Sequence, residues 1–168
     1  MIRSMMGKKK GLYIIKDGVL MDQGLAVTTA KYGAQWSSTD NRKLEYRNGY
    51  IYFYGSCKNR SSGIVFKPRI VNKGYSRLVI EADIKYDGKY HGGVILGTTY
   101  GSESSWIRDA MLPTGEGRKY CDDPSPIATN KFQLEIRGVT NLFVFIGMVS
   151  IANPDMGCVV NLYNMYLT

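Results

Sequence analysis

Residues 74–101 read GYSRLVIEADIKYDGKYHGGVILGTTYG. Within them Leu78, Ile80, Ala82, Ile84 and Tyr86 alternate with Arg77, Val79, Glu81, Asp83 and Lys85, all charged but Val79. Successive side chains of a strand point to opposite faces, so this spacing predicts a long strand with one buried and one wet face. Asp87-Gly88 follows, a dipeptide that tolerates the positive φ of a tight turn. The apolar run Val94-Ile95-Leu96 then returns. The expectation is a hairpin at the middle of an antiparallel sheet, with the rest of the chain covering its apolar side.

The flanking sequence repeats this grammar. Leu12–Ile15 and Val19–Met21 flank Lys16-Asp17-Gly18, a small hairpin signal. Residues 24–30 suit a strand, and the polar stretch from Tyr32 to Lys43 reads as a loop around Trp36. Leu44–Tyr46 and Tyr50–Tyr54 are joined by Arg47-Asn48-Gly49, and Asn-Gly is the strongest short hairpin signal. Gly63–Phe66 is a short strand, and Ile70–Lys73 is a connection. Residues 99–130 carry glycines and prolines with little periodicity, and loops of such length are more often functional than decorative. A short strand around Trp106–Arg108 or Arg118–Cys121 fits inside this segment. Phe132, Leu134 and Ile136 alternate with polar residues; Leu142–Val149 is apolar nearly throughout; Cys158–Leu167 closes the chain. No helix is expected.

At 168 residues the chain suits one domain large enough to need no metal or disulfide staple. Thirteen tyrosines and 19 glycines favour many strands and turns. The net charge of +8 is spread out apart from Lys8-Lys9-Lys10 and two basic turns. It reads as a solvated surface, with anionic polymers as the alternative partner. Cys57, Cys121 and Cys158 are far apart, without metal-ligand spacing, and read as reduced thiols of a cytoplasmically made protein. No run reaches the length of a membrane span, and the amino terminus lacks a signal-peptide core.

Residues able to do chemistry are sparse. His91 is the only histidine, and a lone one at a strand end supports neither a metal cluster nor a triad. Loop carboxylates Glu103, Asp109, Glu116, Asp122 and Asp123 are the candidates for a glycosidase pair. Gly115-Glu116-Gly117-Arg118-Lys119 lacks the spacing of a phosphate-binding loop. Tyr50, Tyr52 and Tyr54 share one strand face near Arg47, Lys58 and Arg60, as nucleic-acid binding would require. The reading favoured over that one packs these rings inside the sandwich. Trp36 and Trp106 sit in polar, serine-rich surroundings and either plug the sandwich ends or offer flat rings to a ligand. In the second case Tyr100, Arg108 and Tyr120 would supply hydrogen bonds and charge beside them.

The order of segments resembles the small jelly-roll modules of phage tail and prophage structural proteins. It runs from LYIIKDG through YIYFYG and GIVFKPRIVNKGYSRLVIEADI to GGVILG and a closing NLYNMYLT. The resemblance covers roughly residues 11–167 and carries no catalytic signature. It implies a galactose-binding-like sandwich that binds a surface glycan or receptor, or else serves assembly alone. The expectation is therefore an all-β antiparallel β-sandwich (jelly roll) over residues 11–168, behind a basic tail at 1–10. It is expected to be non-catalytic, without cofactor or metal. Its partners would be a surface glycan or other virion proteins, in a possible homo-oligomer, and neither a membrane nor nucleic acid. It would be made in a bacterial cytoplasm and assembled into a virion.

Overall fold

A computed structural model describes residues 10–32, 42–57, 61–86, 91–97, 118–121, 128–149 and 156–168. Among them there is no helix, and thirteen strands form two antiparallel sheets. Sheet A contains β1 (Leu12–Lys16), β2 (Val19–Leu20), β4 (Lys43–Arg47), β5 (Tyr50–Cys57), β8 (Arg77–Tyr86), β11 (Ala128–Glu135) and β13 (Met156–Leu167). Sheet B contains β3 (Ala26–Tyr32), β6 (Ser61–Lys67), β7 (Ile70–Val71), β9 (His91–Gly97), β10 (Arg118–Cys121) and β12 (Asn141–Val149). The two layers press together as the expected sandwich. Ile51, Phe53, Leu78, Ile80, Val160 and Leu162 of sheet A and Ile64, Phe66, Val144 and Ile146 of sheet B share one buried core. Fully burying each such side chain contributes roughly 1.5–3 kcal/mol.

The alternation of residues 77–86 holds on its core side, where Leu78, Ile80, Ala82 and Ile84 are buried, but the side expected to be wet also buries Val79 and Asp83. The expected hairpin partner is different too. β8 pairs β11 on one edge and β13 on the other, whereas β9 pairs β10 and β12 in the opposite sheet. A turn dipeptide encodes a reversal of the chain, and a chain crossing between layers reverses as well. Which sheet receives the returning strand depends on edges occupied by segments remote in sequence. One further correction concerns a connection: Ile70–Val71 is a strand that pairs Asn141 and Leu142 of β12. Within 99–130, of the two places expected for a short strand, Arg118–Cys121 is β10, and β11 begins at Ala128.

β13 is the spine of sheet A. One edge runs along β8, and the other is shared, with Met156–Leu162 beside β5 and Met165–Leu167 beside β1. Its register shifts between Leu162 and Asn164. This bulge lets Cys158, Val160 and Leu162 face inward at even positions and Met165 and Leu167 at odd ones. The Asp17–Gly18 turn docks where β5 gives way to β1. Gly18 N donates to Tyr163 O at 2.9 Å, and Asp17 N donates to Asn164 Oδ1 at 2.9 Å.

The two outward faces differ. On sheet B, Val65 and Phe145 are cross-strand partners on the side away from Ile64 and Ile146, yet both are fully buried. That pair is covered on its outer side, whereas Thr28 and Phe143 on the same face are half-buried. On sheet A the outward side chains of β1, β4, β5 and β13 are half-buried or exposed.

Candidate functional site

Because Ile51 and Phe53 are completely buried, the odd–even alternation of β5 sends Tyr50, Tyr52 and Tyr54 to the outer face of sheet A. This corrects the expectation that these rings pack inside. Tyrosine suits the position: the ring covers apolar sheet surface while the hydroxyl stays wet. Register then brings further outward residues alongside. Glu45, Tyr52, Asn161 and Asp83 are successive cross-strand partners on β4, β5, β13 and β8. At about 4.8 Å per strand this row spans roughly 14 Å.

The β13 bulge adds a second tyrosine cluster. By inserting one residue it places both Tyr163 and Asn164 on the outer side between Leu162 and Met165. The Tyr163 ring lies 5.8 Å from that of Tyr50, and Tyr13 and Tyr166 pair 5.1 Å apart further along the face. Six tyrosines, Tyr13, Tyr50, Tyr52, Tyr54, Tyr163 and Tyr166, thus share one side of one sheet.

Charges on this face are mostly matched. Glu45 is bracketed by Lys43 at 2.6 Å and by the Arg47 guanidinium, whose Nε and Nη2 donate at 2.8 and 2.6 Å. Lys43 first, then Arg47, holds the Glu45 carboxyl below its usual range. The Arg47 guanidinium also lies over the Tyr52 ring, 3.7 Å from its centroid, which stiffens that ring. Glu81 accepts from Lys131 at 3.0 Å and from Asn164 Nδ2 at 2.8 Å, and those contacts lower its pKa in that order. Lys131 reaches over Tyr166 as well.

Asp83 is different. It is only 9% exposed, and its Oδ2 accepts the Tyr163 hydroxyl at 2.6 Å. Its Oδ1 and the Oδ1 of the neighbouring Asn161 are buried without a hydrogen-bond partner. Buried polar atoms are ordinarily satisfied, so two adjacent acceptors in this state mark a polar floor beneath the rings. The bond to Asp83, followed by burial, pushes the Tyr163 hydroxyl up to about 12. The raised value has a stability consequence. The contribution is complete below pH 10, the ordinary tyrosine range, and is lost as pH rises through about 12, because the unfolded chain gives up the proton first. A titration followed at 295 nm is expected to show a late tyrosine phase that Tyr163→Phe diminishes by one tyrosine. A late phase of unchanged amplitude in that variant would overturn the assignment.

Trp36, Trp106, Tyr100 and Arg108 lie outside the described residues, as do Lys58, Arg60 and the carboxylates Glu103, Asp109, Glu116, Asp122 and Asp123. Tyr120 lies on β10, opposite Gly93 of β9, and so belongs to sheet B rather than to the tyrosine face. His91 opens β9 opposite Val149. Of the basic residues first set beside Tyr50, Tyr52 and Tyr54, Arg47 does share their face. Sequence reasoning missed Asp83, Asn161, Tyr163 and Tyr166. The signal for the last three was the broken alternation in CVVNLYNMYL, where apolar spacing slips by one residue.

No protein-family model matches the chain, and no curated protein matches it. Solved structures do. The fold is similar to that of a point mutant of a carbohydrate-binding module of family 29, with a TM-score of 0.51 at 13% identity over 94% of this chain and 90% of that one. A second mutant from family 29, made to probe ligand recognition, gives 0.50 at 12% identity over 95% and 92%. At such identity the likeness establishes the fold: an all-β sandwich of two antiparallel sheets like those of carbohydrate-binding modules.

Proposed function

We propose that this chain is a non-catalytic glycan-binding module whose ligand lies across the outer face of sheet A. The observation that carries the reading is the face of six tyrosines over unpartnered acceptors on the outer side of sheet A. Sugar rings present apolar C–H faces edged by hydroxyls. A surface of flat aromatic rings beside acceptors is complementary to both. The sandwich shared with carbohydrate-binding modules agrees with this use of the fold.

Glu45 and Glu81 on this face suit binding rather than acid catalysis. A glycosidase needs one acid with a raised pKa, whereas Glu45 and Glu81 are both lowered by neighbouring cations. The segment order that resembles phage tail modules supports a place in a virion made in a bacterial cytoplasm. Several copies there would turn weak single-site contacts into avidity.

Affinity electrophoresis in gels containing soluble polysaccharides tests the proposal. Tyr52→Ala is expected to weaken retention about tenfold or more, as for truncation of an aromatic anchor, with Tyr50→Ala acting in the same direction. Equal retention of the wild type and both variants would remove the face from the reading. Loss in Trp36→Ala or Trp106→Ala instead would move the site to those residues. An absence of retention in every gel would favour a purely structural assembly protein.

A further inference from the structure

We infer that the face selects uncharged, hydroxyl-rich glycans and rejects anionic ones, with Asp83 and Asn161 as the acceptor pair that reads ligand hydroxyls. This rests on the glycan reading above and adds its chemical class. Asp83 and Asn161 are direct cross-strand partners, and each has a buried Oδ1 with no donor. The other oxygen of Asp83 is already held by Tyr163. Two adjacent acceptors call for a ligand that brings donors. A sugar hydroxyl donates, and its bond to a carboxylate is charge-assisted and therefore strong. A uronate or sulfate group brings acceptors and negative charge, and so meets repulsion where the site offers one carboxylate and one amide oxygen.

The net charge of +8 suggests the opposite preference, but Lys43, Arg47 and Lys131 on this face are held by carboxylates, and Lys16 lies over the Tyr13 ring. Lys43 and Arg47 pair with Glu45, and Lys131 pairs with Glu81. A hard cation is the other species that unpartnered oxygens attract. Among the described residues, however, no group of three His, Cys, Asp or Glu side chains gathers to hold one. Because the two oxygens lie below the surface, a ligand reaches them by rotation of the half-buried tyrosines above the sheet. Rotamer changes of that kind are common at binding surfaces. The row from Glu45 to Asp83 then reads hydroxyls at one end of a chain whose rings stack on Tyr52 and Tyr50.

The test uses the full chain with neutral polymers (galactomannan, xylan, mixed-linkage β-glucan) and anionic ones (polygalacturonate, alginate, heparin) at physiological ionic strength. Retention by at least one neutral polymer and by none of the anionic ones is expected. Asp83→Asn replaces one acceptor by a donor and is expected to weaken neutral binding at least tenfold. Asn161→Leu removes the second acceptor without touching Asp83 and is expected to act in the same direction. Should one variant unfold, the other still decides, and thermal melting identifies which did. Binding confined to anionic polymers and still lost in Tyr52→Ala would keep the glycan reading and overturn this one. Neutral binding unchanged in both acceptor variants, or abolished by EDTA, would also overturn it. Failure to bind any polymer would remove both readings together.

Discussion

Replacing Asn72 with alanine is expected to lower the unfolding free energy by about 3 kcal/mol, a large loss for one polar side chain. Asn72 follows β7 and is 9% exposed. Its Nδ2 donates to the carbonyls of Tyr75 at 3.0 Å, Ile136 at 3.2 Å and Val139 at 2.8 Å, while Oδ1 accepts Tyr75 N at 2.8 Å. One amide therefore ties the β7–β8 connection to the β11–β12 connection, helped by the bond from Asn72 N to Thr140 O. Truncation leaves these groups without their partner. Asn72→Asp keeps the size but turns a donor toward three carbonyls into a further acceptor, so it is expected to be at least as damaging. Urea unfolding checks both; an alanine variant within about 0.5 kcal/mol of wild type, the range of an ordinary surface substitution, would show that the side chain does not hold the corner.

Gly18→Ala is expected to cost about 2–4 kcal/mol, through left-handed backbone strain and a steric overlap. Asp17 and Gly18 take φ of 49° and 75°, the pairing of positive values that a two-residue hairpin turn demands. A Cβ on Gly18 would overlap the backbone of Tyr50. Relief requires the turn to lift, which breaks its bonds to Tyr163 O and Asn164 Oδ1 and shifts the strand that presents Tyr50. Gly49→Ala is the control. Its φ is 87°, but nothing lies within 4 Å of the added carbon, so only the conformational cost of about 1–2 kcal/mol applies. Equal losses in the two variants would mean that the overlap with Tyr50 is relieved without consequence. A larger loss at Gly18, accompanied by weaker glycan retention, is the expected pattern, because the same turn supports the tyrosine face.

Much of the sandwich is legible along the chain. The alternations at 77–86 and 131–136, the near-continuous apolar run of β12 and the two turn dipeptides beside β1 and β5 locate strands closely. The candidate site is much less so. Alternation in YIYFY shows that tyrosines oppose Ile51 and Phe53, but both sets are apolar enough to pack. What decides the matter is that the aliphatic and phenylalanine side chains bury no hydroxyl, so they take the interior and the tyrosines take the face that keeps water at one edge.

The sequence alone determined that this protein is a two-faced, strand-built chain with apolar residues enough for one core, because side-chain periodicity is a local property of extended backbone. Only the tertiary structure decided that β8 and β9 lie in different sheets, and that Tyr52, Asn161 and Asp83 stand side by side. Backbone hydrogen-bonding groups are the same in every strand, so pairing is selected by which edges and apolar faces remain uncovered once all strands have come together. That competition is settled between segments far apart in the chain, and no local stretch records its outcome.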